Sequence, residues 1–89
     1  MAYAVELAES ADRDLKSLDA QGRRRILKFL HERAAKLDNP RSIGEALHGS
    51  ELGEFWRYRV GDYRLICNIE DERVVVLVLR VGHRKNTYR

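Results

Sequence analysis

The sequence predicts an α+β fold: a small antiparallel β-sheet with an N-terminal helical hairpin packed on one face, in the order β-α-α-β-β-β. Three observations predict it. Two stretches with helical periodicity follow one another in the first half of the chain. Gly61-Asp62 separates two runs in which apolar and basic residues alternate. The almost unbroken Val74-Val75-Val76-Leu77-Val78-Leu79 then reads as a central strand with both faces largely covered.

The elements follow in order. Tyr3-Ala4-Val5-Glu6-Leu7 alternates and predicts a first strand. Ser10 is the expected N-cap of a first helix, with Asp12 in its first turn and Ala11, Leu15 and Leu18 on one face. A second helix is expected over 20–37, because Ile26, Leu27, Leu30, Ala34 and Leu37 recur at three- and four-residue intervals. Arg23, Arg24, Lys28, Glu32 and Lys36 occupy its opposite face. Asp38-Asn39-Pro40 ends it, since proline cannot continue a helix. Residues 43–54, with Gly44, Gly49 and Gly53, are expected to form an ordered loop. Three strands then cover 55–60, 63–69 and 73–81. The two-residue Gly61-Asp62 loop is of the primed hairpin kind, and Glu70-Asp71-Glu72 makes the next turn.

Bulk properties narrow the function classes. Eighty-nine residues suit a single domain, 1–89, without linker, repeat or low-complexity segment. The lone Cys67 excludes an internal disulfide, suits a reducing compartment and is expected to be a buried apolar residue. The apolar run 74–79 falls far short of a membrane span, and the N-terminal residues lack a signal-peptide core, so a soluble cytoplasmic protein is expected. No His/Cys/carboxylate spacing suits a metal, and no cofactor is called for.

Charge is segregated. Residues 1–54 carry nine Lys/Arg against ten Asp/Glu, whereas residues 55–89 carry eight against four. The surplus is almost all arginine, whose planar fork matches phosphate. A two-residue turn fixes the hairpin pairing: Val60 faces Tyr63, Arg59 faces Arg64, Tyr58 faces Leu65, Arg57 faces Ile66 and Trp56 faces Cys67. Alternation then puts Trp56, Tyr58, Val60, Tyr63, Leu65, Cys67 and Ile69 on the core face, and Arg57, Arg59 and Arg64 on the other. Arg80 joins this second face if the register of the last strand allows. Cross-strand Cβ atoms lie roughly 5 Å apart, and like charges so placed are destabilising unless an anion sits between them. The alternative is that the side chains splay toward solvent, Asp62 or an acidic loop. Beyond Gly82, the tail adds His83, Arg84, Lys85, Tyr88 and Arg89. It is either a frayed terminus or an arm that folds back over the arginines, with Tyr88 placed to stack on a base.

The segment WRYRVGDYRL, with Leu47-His48-Gly49 before it, and the ending VGHRK with Tyr88 beyond it resemble the RelE family of toxin–antitoxin toxins. The resemblance spans the whole chain. It implies a ribosome-dependent endoribonuclease that cuts mRNA in the decoding site and is held inactive by a cognate, RelB-like antitoxin with an amphipathic, acidic segment. Carried over by position, it implies Arg57, Arg59, Arg64 and Arg84 as the basic active-site residues and Tyr88 as the C-terminal tyrosine. Arg59 and Arg64 would stabilise charge on the phosphate, Arg84 would act on the leaving-group side, and Arg57, Arg80, Lys85 and Arg89 would bind RNA. Well-known members have lysine where Arg57 and Arg59 stand. Arginine is a poor base, so His83 is the candidate replacement, the alternative being an ordinary surface histidine. Two other classes stay open: a ParE-like inhibitor of DNA gyrase on the same scaffold, and a module whose basic face only holds its antitoxin.

Overall fold

The computed structural model of the chain describes residues 3–36, 39–47 and 55–83. The elements are β1 (Ala4–Leu7), α1 (Glu9–Lys16), α2 (Ala20–Glu32), two short 3₁₀ turns (Ala34–Lys36 and Pro40–Ile43), β2 (Glu45–Ala46), β3 (Phe55–Val60), β4 (Tyr63–Glu70) and β5 (Val75–His83). They form an α+β structure around one five-stranded sheet of order β1-β5-β4-β3-β2.

Four differences from the sequence reading have physical causes. The sheet is mostly antiparallel, but β1 runs parallel to β5, pairing Ala4 with Val75 and Leu7 with Val78. The two helices supply the crossover that a parallel connection requires. Second, α2 stops at Glu32 and the chain tightens into a 3₁₀ turn that still buries Ala34, so the apolar spacing continues after the α-helix has ended. Leu37 lies outside the described residues. Third, the stretch expected as a loop contains β2, whose Glu45 and Ala46 pair with Arg57 and Trp56. Fourth, the N-cap of α1 is Ala8, without a side-chain cap. Ser10 is inside the helix and donates its Oγ hydrogen to the Leu79 carbonyl at 2.6 Å.

The core lies between the helices and one sheet face, where Leu15, Ile26 and Leu30 meet Leu65, Cys67 and Val76. Tyr58 is fully buried there, with the edge of its ring toward Phe29 at 5.6 Å and its hydroxyl donating to the Pro40 carbonyl at 2.7 Å. Burial pushes the Cys67 thiol up to about 12, which makes it an inert packing residue. Between β3 and β4 the register is the expected one, including Arg59 opposite Arg64. Gly61 takes φ +59° as the first residue of the tight turn, the position at which a II′ turn demands glycine.

The pairing of β4 with β5 contains a β-bulge. Cys67 pairs with Val78 and Ile66 with Arg80, so Leu79 is an extra residue on β5. Val76 and Val78 therefore share the core face with Ile69 and Cys67, and Val81 shares it with Leu65, while Arg80 comes out opposite Ile66 on the other face.

Candidate polyanion-binding face

The site is built on the sheet face turned away from the helices. Each of its residues arrives by strand alternation. Arg57 and Arg59 come from β3, Arg64 and Ile66 from β4, and the bulge delivers Arg80 from β5. Glu45 joins them from β2, opposite Arg57. The apolar centre of this face is Ile66, with Phe55 and Leu77 in the next row. Ile66 is buried although no helix packs over it, as expected where long arginine stems lie along an apolar surface.

Electrostatics answers the question raised by the Arg59–Arg64 pair. A carboxylate of the chain itself stands in the cluster. Glu45 Oε1 lies 3.3 Å from Arg57 Nη2 and 3.2 Å from Arg59 Nε. Arg57 is the more enclosed of the two, with 22% of its side chain exposed against 59% for Arg59. On the far side of the face Arg80 makes two hydrogen bonds to Asp14 of α1, at 2.8 and 3.3 Å, and Asp14 also accepts the Val81 N–H at 2.9 Å. Burial alone would raise the Asp14 carboxyl. The Arg80 and Val81 hydrogen bonds and the adjacent guanidinium outweigh it and hold the group below its ordinary value. The same contact raises Arg80, which stays cationic at every accessible pH.

The expected site residues therefore divide into three sets. Arg57, Arg59, Arg64 and Arg80 share one face. His83 does not join them: it pairs with Tyr63, one row beyond Arg64 and Gly82, and alternation turns it toward the helices. Its ring meets Tyr63 edge-on at 5.4 Å. That parity places His83 on the side of the strand opposite Arg59 and Arg64. Arg84, Lys85, Tyr88 and Arg89 lie outside the described residues.

Glu45 is the residue the sequence reading missed. A two-residue strand has no periodicity to detect. The signal that could have found it was the mutual repulsion of Arg57, Arg59 and Arg64, which called for an acid from a neighbouring segment.

The chain is a small α+β scaffold with one basic sheet face. Comparison with known proteins says which family shares it. Residues 5–88 match the family model described as the ParE toxin of the type II toxin–antitoxin system parDE. Toxin RelG of Mycobacterium tuberculosis is 34% identical over 89 residues, covering all of this chain and 99% of its own length. The mRNA interferase toxin RelE of Escherichia coli is 32% identical over 87 residues, covering 98% of this chain and 88% of its own. Among solved structures, the RelBE2 toxin–antitoxin complex of M. tuberculosis aligns with a TM-score of 0.86 and 31% identity, covering 97% of this chain and 95% of the matched one. The chain belongs to the RelE/ParE family of type II toxins.

Proposed function

We propose that this toxin is a ribosome-dependent mRNA endoribonuclease that cuts by attack of a 2′-OH on the adjacent phosphate and so inhibits translation. The observation that carries the reading is the gathering of Arg57, Arg59 and Arg64 on one sheet face, with the Glu45 carboxylate paired to Arg57 and Arg59. The relatives named as an mRNA interferase and as RelG support it.

The reaction needs no metal. The 2′-oxygen forms a bond to phosphorus, its proton leaves, and the bond from phosphorus to the 5′-oxygen breaks as that oxygen gains a proton. The products are a 2′,3′-cyclic phosphate and a 5′-hydroxyl. Arg59 and Arg64 bind the non-bridging oxygens, where negative charge accumulates in the transition state. Arginine cannot readily take the proton, and Glu45 supplies the acceptor at the site in place of the displaced His83. Arg84 serves the leaving 5′-oxygen and Tyr88 stacks on a base. Arg57, Arg80, Lys85 and Arg89 hold the RNA backbone. Three fixed cations and one constrained carboxylate make a site that depends on the ribosome to orient its substrate.

The partner is a cognate RelB-like antitoxin. An amphipathic, acidic segment fits a face whose centre is Ile66, Leu77 and Phe55 and whose rim is arginine. Binding there neutralises the cations and closes the site in one step.

The test is cleavage of ribosome-bound mRNA by purified toxin. Arg64→Ala is expected to lose on the order of 10²–10³ in rate. Glu45→Gln should lose a comparable factor. Full activity of a folded Arg64→Ala/Glu45→Gln protein removes the proposed site. A second reading, inhibition of DNA gyrase, is favoured by one observation, the ParE description of the matching family model. Inhibition of supercoiling by a toxin that leaves ribosome-bound mRNA intact decides for it.

A further inference from the structure

On the helix side of the sheet, the end of the β3–β4 hairpin leaves an open cleft of about 260 Å³ against the start of α2. Asp19, Gly22, Arg25, Asp62, Tyr63 and His83 line it. The cleft follows from two close approaches. The Tyr63 hydroxyl rests so near Gly22 that a Cβ there would collide with it. The Arg25 guanidinium lies over the hairpin turn, where a Cβ on Gly61 would come within 2.8 Å of its Cζ. The walls are the Tyr63 and His83 rings, set edge-to-face at 87°. One oxygen of Asp19 accepts the Gly22 N–H at 2.7 Å, and the Asp19 side chain lines the cleft.

Beyond its Asp19 cap, the start of α2 is basic. The first turn of α2 contains no acidic residue, and Arg23, Arg24 and Arg25 follow where the helix dipole favours anions. Arg23 is absorbed by the Leu18 carbonyl at 3.2 Å. Arg25 instead reaches the cleft. The volume lies below the usual range for small-molecule sites, about 300–1,000 Å³. It suits one base with part of its sugar, not a larger cofactor.

We propose that this cleft binds a single nucleobase of the RNA, and that guanine is the base it matches. Guanine presents two adjacent donors, N1–H and the 2-amino group, which one carboxylate accepts together. It presents O6 and N7 as acceptors on its other edge. The cleft lining offers the complementary groups: the carboxylates of Asp62 and Asp19 to accept, and Arg25 and His83 to donate. Adenine places an acceptor nitrogen where guanine has N1–H, and a carboxylate repels it. Pyrimidines leave much of the cleft unfilled. The aromatic walls supply the stacking surface common in single-stranded RNA recognition. Asp62 and His83 already hold interactions in the resting fold, so base binding exchanges partners for them.

The cleft and the arginine face flank the same end of β4 and β5. Tyr63 and His83 point to one side, and their neighbours Arg64 and Gly82 lie on the other. Gly82 leaves the position beside Arg64 without a side chain, so RNA held at the arginines turns over the strand end to reach the cleft. The inference rests on the RNA reading above and assigns His83 to base recognition.

The experiment titrates the full chain with guanosine, adenosine, cytidine and uridine 5′-monophosphates, followed by backbone amide NMR. Guanosine monophosphate is expected to shift Gly22, Arg25, Tyr63 and His83 and to bind at least tenfold more tightly than the others. Arg25→Ala and Asp62→Asn, both on exposed positions, should each erase that preference. Equal affinity for all four nucleotides, or shifts confined to Arg57, Arg59 and Arg64, overturns the proposal. Binding is read without cleavage. A chain that cuts mRNA but shows no shift in the cleft therefore overturns the cleft alone. A chain that takes guanosine monophosphate but cuts nothing supports the cleft and removes the nuclease reading.

Discussion

Val74 is the one non-glycine residue with a positive φ, +56°, among those described. A β-branched side chain in the left-handed region costs about 1–2 kcal/mol. Two backbone hydrogen bonds hold it there: the Val74 N–H donates to Asp71 at 3.2 Å, and its carbonyl accepts from Ala4 at 2.9 Å. Asparagine tolerates this conformation, so Val74→Asn is expected to stabilise the protein by about 1 kcal/mol. For a chain of this length that raises the thermal midpoint by roughly 4–8 °C. A lower midpoint in a calorimetric scan contradicts the strain. The same turn carries Asp71, which accepts from both terminal guanidinium nitrogens of Arg41 at 3.0 and 2.9 Å and from the Tyr3 hydroxyl at 2.8 Å. The Arg41 bonds, then the Tyr3 bond, hold its carboxyl below the ordinary value, and Asp14 is held low by Arg80 and Val81 against its burial. A carboxyl with a depressed folded pKa stabilises the fold above its unfolded pKa of about 3.9, and that contribution disappears as pH falls through the folded value. Denaturant midpoints should accordingly drop below about pH 4. Asp71→Asn and Asp14→Asn should each flatten that drop; an unchanged acid slope in both means neither pair is coupled to folding.

Among the elements, α1 has a role that helical periodicity does not announce. β1 pairs with β5 only through residues 75–78, and beyond Val78 that edge of β5 needs other partners. The length of α1 and its cap supply them: the Ala8 N–H donates to the Val78 carbonyl, Ser10 Oγ donates to the Leu79 carbonyl, and Asp14 accepts the Val81 N–H. A helix stands in for a strand and protects the edge from pairing with another chain. Ser10→Ala should cost about 1 kcal/mol. Asp14→Ala should speed hydrogen exchange at the Val81 amide well beyond that at Leu65; equal acceleration across the sheet would mean general loosening instead. The hairpin of β3 and β4 was legible in the sequence residue by residue, because a two-residue loop permits one register and Trp56, Tyr58 and Val60 mark the core side. β2, the bulge and the true cap of α1 were not. Two residues have no period, an extra residue is invisible in an unbroken valine–leucine run, and Ser10 looks the same whether it caps a helix or a strand edge.

For the molecule as a whole, the sheet separates two kinds of surface. One side packs against the helices, and the other gathers Arg57, Arg59, Arg64 and Arg80 beside Glu45. Among the described residues, no helix is long and apolar enough to cross a membrane. The family was legible from WRYRVGDYRL and VGHRK because these segments carry both the hairpin and its charges. The position of His83 was not, since it depends on which row of the sheet the last strand reaches. Binding to a short single-stranded RNA should weaken linearly with the logarithm of salt concentration, by about 0.7 per phosphate contact. Arg59→Gln and Arg64→Gln should each reduce the slope by about that amount. A slope untouched by both substitutions would place RNA elsewhere on the surface.

The extra residue in β5 acts on the strand as a single-letter insertion acts on a reading frame. Up to Val78 the even-numbered positions face the core; after Leu79 the odd-numbered ones do, beginning with Val81. Both halves stay legible only because the slip occurs once, between the stretch that builds the core and the stretch that serves the basic face. Deleting Leu79 would remove the slip and leave Arg80 and Val81 on their present sides, with one unbroken alternation along the strand. A relative without the extra residue must therefore carry its cation one step out of phase with this one, and an alignment scored by similarity alone would set the wrong residues against each other.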